Sequence, residues 1–83
     1  MFYFYLLRCK DGSLYSGSTN NIKRREELHN AGGGSKYVRS RSGGKIVYFE
    51  KFRTRAKAMS REAEIKRKNK AFKENLIKSA RRE

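Results

Sequence analysis

Hydrophobic side chains run without a gap from Phe2 to Leu7, and no helix-start signal precedes them. Such a run predicts a strand over residues 2–8 that is buried on both faces. Lys10-Asp11-Gly12-Ser13 breaks the run with residues that suit a tight hairpin turn. Leu14 to Ser18 then returns as a second, short strand. Thr19-Asn20-Asn21 offers N-cap side chains, and Ile22 to Asn30 follows as a helix. Gly32-Gly33-Gly34 stops that helix and opens a flexible, basic loop, GGGSKYVRSRSGGK. Lys45 to Phe52 predicts a third strand, with Ile46, Tyr48 and Glu50 on one face and Val47, Phe49 and Lys51 on the other. Thr54 can cap a helix over residues 55–67. A break near Asn69 separates it from a last helix carrying Phe72, Leu76, Ile77 and Ala80. The last residues, Arg81-Arg82-Glu83, are expected to fray. The order ββα–β–αα predicts an α/β (α+β) fold: a small three-stranded antiparallel sheet flanked by helices, without repeats, as a single domain over residues 1–83.

Composition adds a partner. Lysine and arginine total 22 against eight acids, a formal net charge of +14. Both halves of the chain carry the excess. A protein this basic attracts polyanions at long range and releases their counterions on binding. Nucleic acid is the economical partner, and an anionic membrane surface comes second. Ten aromatics, five Phe and five Tyr, supply bulk for a core in a chain too short to bury a large one. Cys9 is the one cysteine, so no internal disulfide and no cysteine-based zinc site can form. No apolar run approaches a membrane span, and the early charges at Arg8 and Lys10 argue against a signal peptide. A cytoplasmic location is the expectation.

Helix geometry singles out a few charged residues. At about 100° per residue, Arg25 and His29 fall between Ile22 and Leu28 on the face turned toward the sheet. On the second long helix Glu62 falls within an arc marked by Ala56, Ala58, Met59, Ala63 and Ile65, whereas Glu64 points outward. A buried charge needs a partner or a task. Plainer roles exist for each residue. Glu62 and Lys66 are four apart and can form a helix pair. His29 near a helix C-terminus suits a cap, and Tyr3, Tyr5, Tyr15 and Tyr48 suit strand packing. Lys23-Arg24-Arg25 and Lys66-Arg67-Lys68 suit solvated faces.

Order and spacing together narrow these options. A strand carrying Tyr5 is followed by Tyr15-Ser16-Gly17, then Arg25, then His29 four residues on, and Glu62 lies on a helix after the third strand. This pattern resembles the GIY-YIG nuclease domain, above all its small stand-alone bacterial members. It spans about residues 3–77 and includes the GSLYSGSTNNIKRR block and Lys36-Tyr37. The chain departs from the family pattern in reading Tyr3-Phe4-Tyr5 for the first signature and in placing Ser16 where isoleucine is common.

The resemblance implies a metal-dependent endonuclease in which Tyr5, Tyr15, Arg25, His29 and Glu62 are catalytic. Glu62 would hold one divalent ion, Mg²⁺ or Mn²⁺. Tyr5 or His29 would activate the attacking water, and a Tyr5 phenol serving as base would need Arg25 or nearby lysines to lower its pKa. Arg25 would grip the phosphate. Gly17, Lys36, Tyr37, Arg39, Arg41 and Lys66 would line the nucleic-acid path, with DNA favoured over RNA. Two alternatives use the same charge. One is a non-catalytic nucleic-acid-binding module with this fold; the other is a basic interaction protein bound to ribosomes or membranes.

Overall fold

The computed structural model describes residues 1–81; Arg82 and Glu83, two of the three residues expected to fray, lie outside the described residues. Strand β1 (Phe2–Cys9) holds the centre of an antiparallel sheet ordered β2-β1-β3, with β2 spanning Leu14–Thr19 and β3 spanning Gly44–Phe52. The central position explains the unbroken apolar run. Phe4, Leu6 and Leu7 are fully buried and Tyr5 nearly so, because a middle strand has helices on both faces. Cys9 and Ser13 close the first hairpin through their backbones, and Asp11 accepts from the Ser13 amide.

Helix α1 (Ile22–Asn30) has the predicted bounds, with Asn21 capping the Arg24 amide. The expected flexible loop after it is corrected by a short helix, α2 (Lys36–Ser40), capped by Ser35. Val38 anchors α2, since it is fully buried against Tyr5, Leu7 and Cys9. One apolar residue among glycines and bases carries no period, so the sequence gives no sign of the helix. Helices α3 (Arg55–Lys66) and α4 (Lys70–Arg81) follow, separated at Asn69, whose side chain accepts from the Phe72 amide.

The alternation expected for β3 is also corrected. Leu6 pairs with Tyr48 and Leu7 with Ile46, so Val47 is an extra residue in a bulge. Val47 and Tyr48 therefore pack with Phe4 and Leu6, whereas Ile46 packs with Leu7 on the opposite face. Two cores result. Phe4, Leu6, Leu14, Ile65 and Ile77 fill the α3/α4 side; Tyr5, Leu7, Cys9 and Val38 fill the α1/α2 side.

Charged residues close the structure from outside. Arg8 makes a two-pronged contact with Glu74 of α4 at 2.7 and 2.8 Å. Arg61 binds Glu50 in the same way and also reaches Glu64. Glu50 in turn accepts from the Tyr48 hydroxyl. Burial raises Tyr48, with help from Glu50, to a pKa of about 12, so it remains a donor.

The inward face of α3 is narrower than the sequence arc. Ala58 and Ile65 are buried, but Met59 is 52% exposed and Ala63 is also exposed. Ile65→Ala should cost about 3 kcal/mol by the usual penalty for truncating a buried aliphatic side chain. Met59→Ala should stay near 0.5 kcal/mol, as expected at a surface site. Urea unfolding of the two variants checks this, and equal losses would mean that α3 presents a different face.

Candidate active site

Strand β2 lies at an edge of the sheet, and groups from both helical layers meet there. Tyr5 stands opposite Gly17 across the β1–β2 ladder, and both face α1. Its hydroxyl lies 2.9 Å from His29 Nε2 in a buried contact. The last turn of α1 supplies His29, only 2% exposed, and two aromatic rings frame it. The Tyr5 and Tyr15 rings sit 6.1 and 5.5 Å from the imidazole, and 6.3 Å from each other.

Two glycines make this contact possible. A Cβ on Gly17 would lie 2.5 Å from the Tyr5 hydroxyl oxygen, so only a residue without a side chain lets the phenol pass. A Cβ on Gly34 would come within 2.9 Å of the His29 ring, and its φ of +73° also favours glycine. The loop after α1 can thus press onto the imidazole. Nδ1 has no hydrogen-bond partner among the described residues.

Burial pushes the Tyr5 pKa up, Tyr15 adds to the rise, and Arg25 opposes it without overcoming it. The lowering expected for a Tyr5 base is therefore corrected: the phenol keeps its proton at neutral pH. Burial also lowers the His29 pKa, and the charge of Arg25 lowers it further. His29 is accordingly a neutral imidazole, able to accept one proton.

Helix α3 brings the acid. Glu62 is mostly buried, at 19% side-chain exposure, and its Oε2 lies 2.8 Å from Lys66 Nζ. The helix pair and the inward carboxylate are thus both present. That hydrogen bond raises the Lys66 pKa, and Lys66 Nζ also stands 5.9 Å from the centre of the Tyr15 ring. Tyr37 of α2 continues the column, 5.8 Å from Tyr15, with the Arg41 guanidinium carbon 3.8 Å from the Tyr37 ring centroid.

Arg41 is less free than the sequence suggested. Its Nε lies 3.2 Å from Asp11 Oδ2, an ionic contact without hydrogen-bond alignment. Lys36 and Arg39 are exposed on α2, and among the described residues no side-chain hydrogen bond or ion pair joins either to the other candidates. Leu28, used to orient α1 from sequence, is 43% exposed. Arg25 is half-buried and lines a cavity of about 280 Å³ with Ser18, Thr19, Asn20 and Arg55. Sequence reasoning missed Gly34 and Arg55. The triple glycine was the only signal for the first, and nothing distinguished Arg55 from a solvated base.

Among the described residues no cluster of three or more His, Cys, Asp or Glu side chains could hold a metal. Glu62 would therefore be the one protein carboxylate on an ion here. Mg²⁺ suits that donor set, because it keeps much of its water and is commonly held by one or two carboxylates plus substrate phosphates.

A family model described as the GIY-YIG catalytic domain matches residues 1–75. A UPF0213 protein of Bacillus licheniformis is 48% identical over 81 residues, covering 98% of this chain and 84% of that protein. One from Clostridium perfringens is 49% identical over 79 residues, covering 95% and 85%. Haloquadratum walsbyi has one that is 47% identical over 74 residues, covering 89% and 83%. Two solution NMR structures share the fold. The UPF0213 protein BH0048 of Bacillus halodurans has a TM-score of 0.58 at 39% identity, covering 94% of this chain and 84% of that one. Protein EF2693 of E. faecalis has a TM-score of 0.62 at 41% identity, covering 98% and 86%.

Two outcomes follow from this geometry. Gly17→Ala should lower stability by about 1–3 kcal/mol, the usual cost of overpacking, and should shift the His29 ring resonances. Unchanged melting and spectra would remove the close approach. The second outcome concerns pH. The folded pKa of His29 lies below its unfolded value near 6.5, so below about pH 6.5 the unfolded chain binds more protons. The His29 contribution is complete above that pH and is lost as pH falls through the folded pKa. Urea midpoints from about pH 8 to pH 5 should decline in wild type and flatten in His29→Gln.

Proposed function

This chain belongs to the GIY-YIG family, and we propose that it acts there as a divalent-metal-dependent endonuclease on nucleic acid, DNA in preference to RNA. The observation that supports this reading most is convergence. β1, β2, α1 and α3 each contribute to one edge of the sheet, bringing Tyr5 and His29 into contact with Tyr15 and Lys66–Glu62 alongside. GIY-YIG nucleases generally depend on a divalent metal, and the mostly buried Glu62 is a carboxylate that could hold one here.

Hydrolysis of a phosphodiester needs a held phosphate, a positioned water and a place for that water's proton. Arg25 is the group to hold the phosphate, because a guanidinium matches two phosphate oxygens at once and stabilises charge that develops on them. Tyr5 and His29 provide for the proton as a pair. With the ring proton on Nδ1, the Tyr5 hydroxyl donates to Nε2. As water loses a proton to the Tyr5 oxygen, the Tyr5 proton passes to Nε2. The phenol stays neutral throughout and His29 ends as imidazolium. This relay avoids the phenolate that burial disfavours.

Tyr15 packs edge-on against His29 and fixes the ring plane. A divalent ion on Glu62 would supply Lewis acidity and charge neutralisation at the phosphate. Lys66 occupies the same carboxylate and would be free to meet a phosphate once displaced.

Cleavage of labelled DNA and RNA at low salt, with Mg²⁺, Mn²⁺ or EDTA, tests the proposal. Glu62→Gln and Arg25→Lys should each lose on the order of 10²-fold in rate, the scale for removing one charge-stabilising group, while Glu62→Gln keeps its binding. Uncut substrates bound equally by wild type and variants would favour the non-catalytic binding module.

A further inference from the structure

The 280 Å³ cavity beside the proposed centre has a composition that the catalytic residues do not explain. Arg25 enters it from α1 and Arg55 from the first turn of α3. Ser18 and Thr19, at the end of β2, and Asn20 just beyond it also line the cavity. No acid lines the cavity, and neither arginine pairs with a carboxylate among the described residues. Arg8, Arg41 and Arg61 are all paired. Two guanidiniums facing one space repel each other, and an anion between them would relieve that.

Arg55 is also held in place. Its guanidinium carbon lies 5.2 Å from the centre of the Phe2 ring, a cation–π contact that limits its freedom before a ligand arrives. Position along β2 identifies the anion. Tyr15 and Gly17 mark the proposed catalytic centre, and the cavity begins at Ser18 and Thr19. Two residues of strand span roughly 6.8 Å, close to the step between successive phosphates of a nucleic-acid strand.

We propose that this cavity seats a second phosphate of the substrate strand, adjacent to the scissile one, with Arg55 as its principal contact. The assignment rests on the reading of the neighbouring centre as a phosphodiesterase. A strand bound this way runs along the β2 edge, with Arg25 between the two phosphates and Arg55 on the second alone. Its bases then point away from the sheet, consistent with recognition of the backbone rather than the sequence.

Thymidine 3′,5′-bisphosphate and thymidine 5′-monophosphate test this without cleavage, by calorimetry or amide-shift titration at low salt and in EDTA. The second phosphate should improve affinity about tenfold in wild type, the scale of a charge-assisted hydrogen bond. Arg55→Gln should abolish that gain and leave monophosphate binding unchanged. Arg25→Gln should weaken both ligands. Lys57→Gln removes the same charge from α3 outside the cavity, and should preserve the gain. An equal bisphosphate advantage in wild type and Arg55→Gln would overturn the assignment, as would an equal loss in Lys57→Gln. Because the readout is binding, absence of cleavage would count against the nuclease reading and leave the Arg55 result standing.

Discussion

Helix α1 is docked on the sheet by hydrogen bonds more than by apolar burial, and the candidate site depends on that mode of attachment. Ile22 is its one apolar residue packed on the core, since Leu28 faces solvent. The remaining anchors are polar. Glu26 accepts from the Ile46 amide at 2.6 Å, Asn30 exchanges two bonds with Gly44, and His29 meets Tyr5. Hydrogen bonds have direction, whereas apolar contacts tolerate sliding. A helix fixed at three directional points holds Arg25 and His29 at set angles to the sheet. The cost is that every anchor must be satisfied, because a buried polar group left unpaired is expensive. The glycines at positions 17 and 34 meet that requirement by letting the Tyr5–His29 contact close.

The edge position of β2 supplies the second constraint. In a central strand, side chains on opposite faces never meet, since the sheet separates them. At an edge, the layers can reach around it. Tyr15, from the α1 face, meets Lys66 of α3, and the cavity beyond takes residues from both layers. An exposed strand edge is ordinarily a liability that invites pairing with another chain. Here the helices crowd it with cations and aromatic rings, so the same edge that could aggregate becomes a surface suited to a polyanion.

Local signals made much of this legible in the sequence. The unbroken run to Leu7, the Asp11-Gly12 turn, the Asn21 cap and the Asn69 break each act within a few residues, and the elements they predict are present. Of the residues that spacing picked out, Tyr5, Tyr15 and His29 touch one another, whereas Glu62 pairs with Lys66 and Arg25 lines the neighbouring cavity. What escaped is long-range or solitary. Arg8 and Glu74 are 66 positions apart, and no periodic pattern couples them. Val38 is a single anchor with no helical partner of its own kind. The Val47 bulge depends on register with β1, which strand alternation alone does not contain. Met59 misled because α3 buries only a narrow stripe, Ala58 and Ile65, and Met59 lies beside it.

The distribution of the few acids shows where the frame ends and the site begins. Glu26, Glu50 and Glu74 each fasten two elements together, and Asp11 ties the first turn to α2 through Arg41. The Asp11, Glu50 and Glu74 pairs neutralise bases on the flanks of the fold and leave the β2 edge positive. Glu62 is different. Its partner, Lys66, lies on the same helix, so their pairing fastens no element to another. An intrahelical pair of this kind contributes little to stability, and separating it leaves the frame intact. A carboxylate tied to a displaceable ammonium is thus available to another cation without loss of the fold. The acids that hold this protein together and the one suited to chemistry are distinguished by what their partners are attached to.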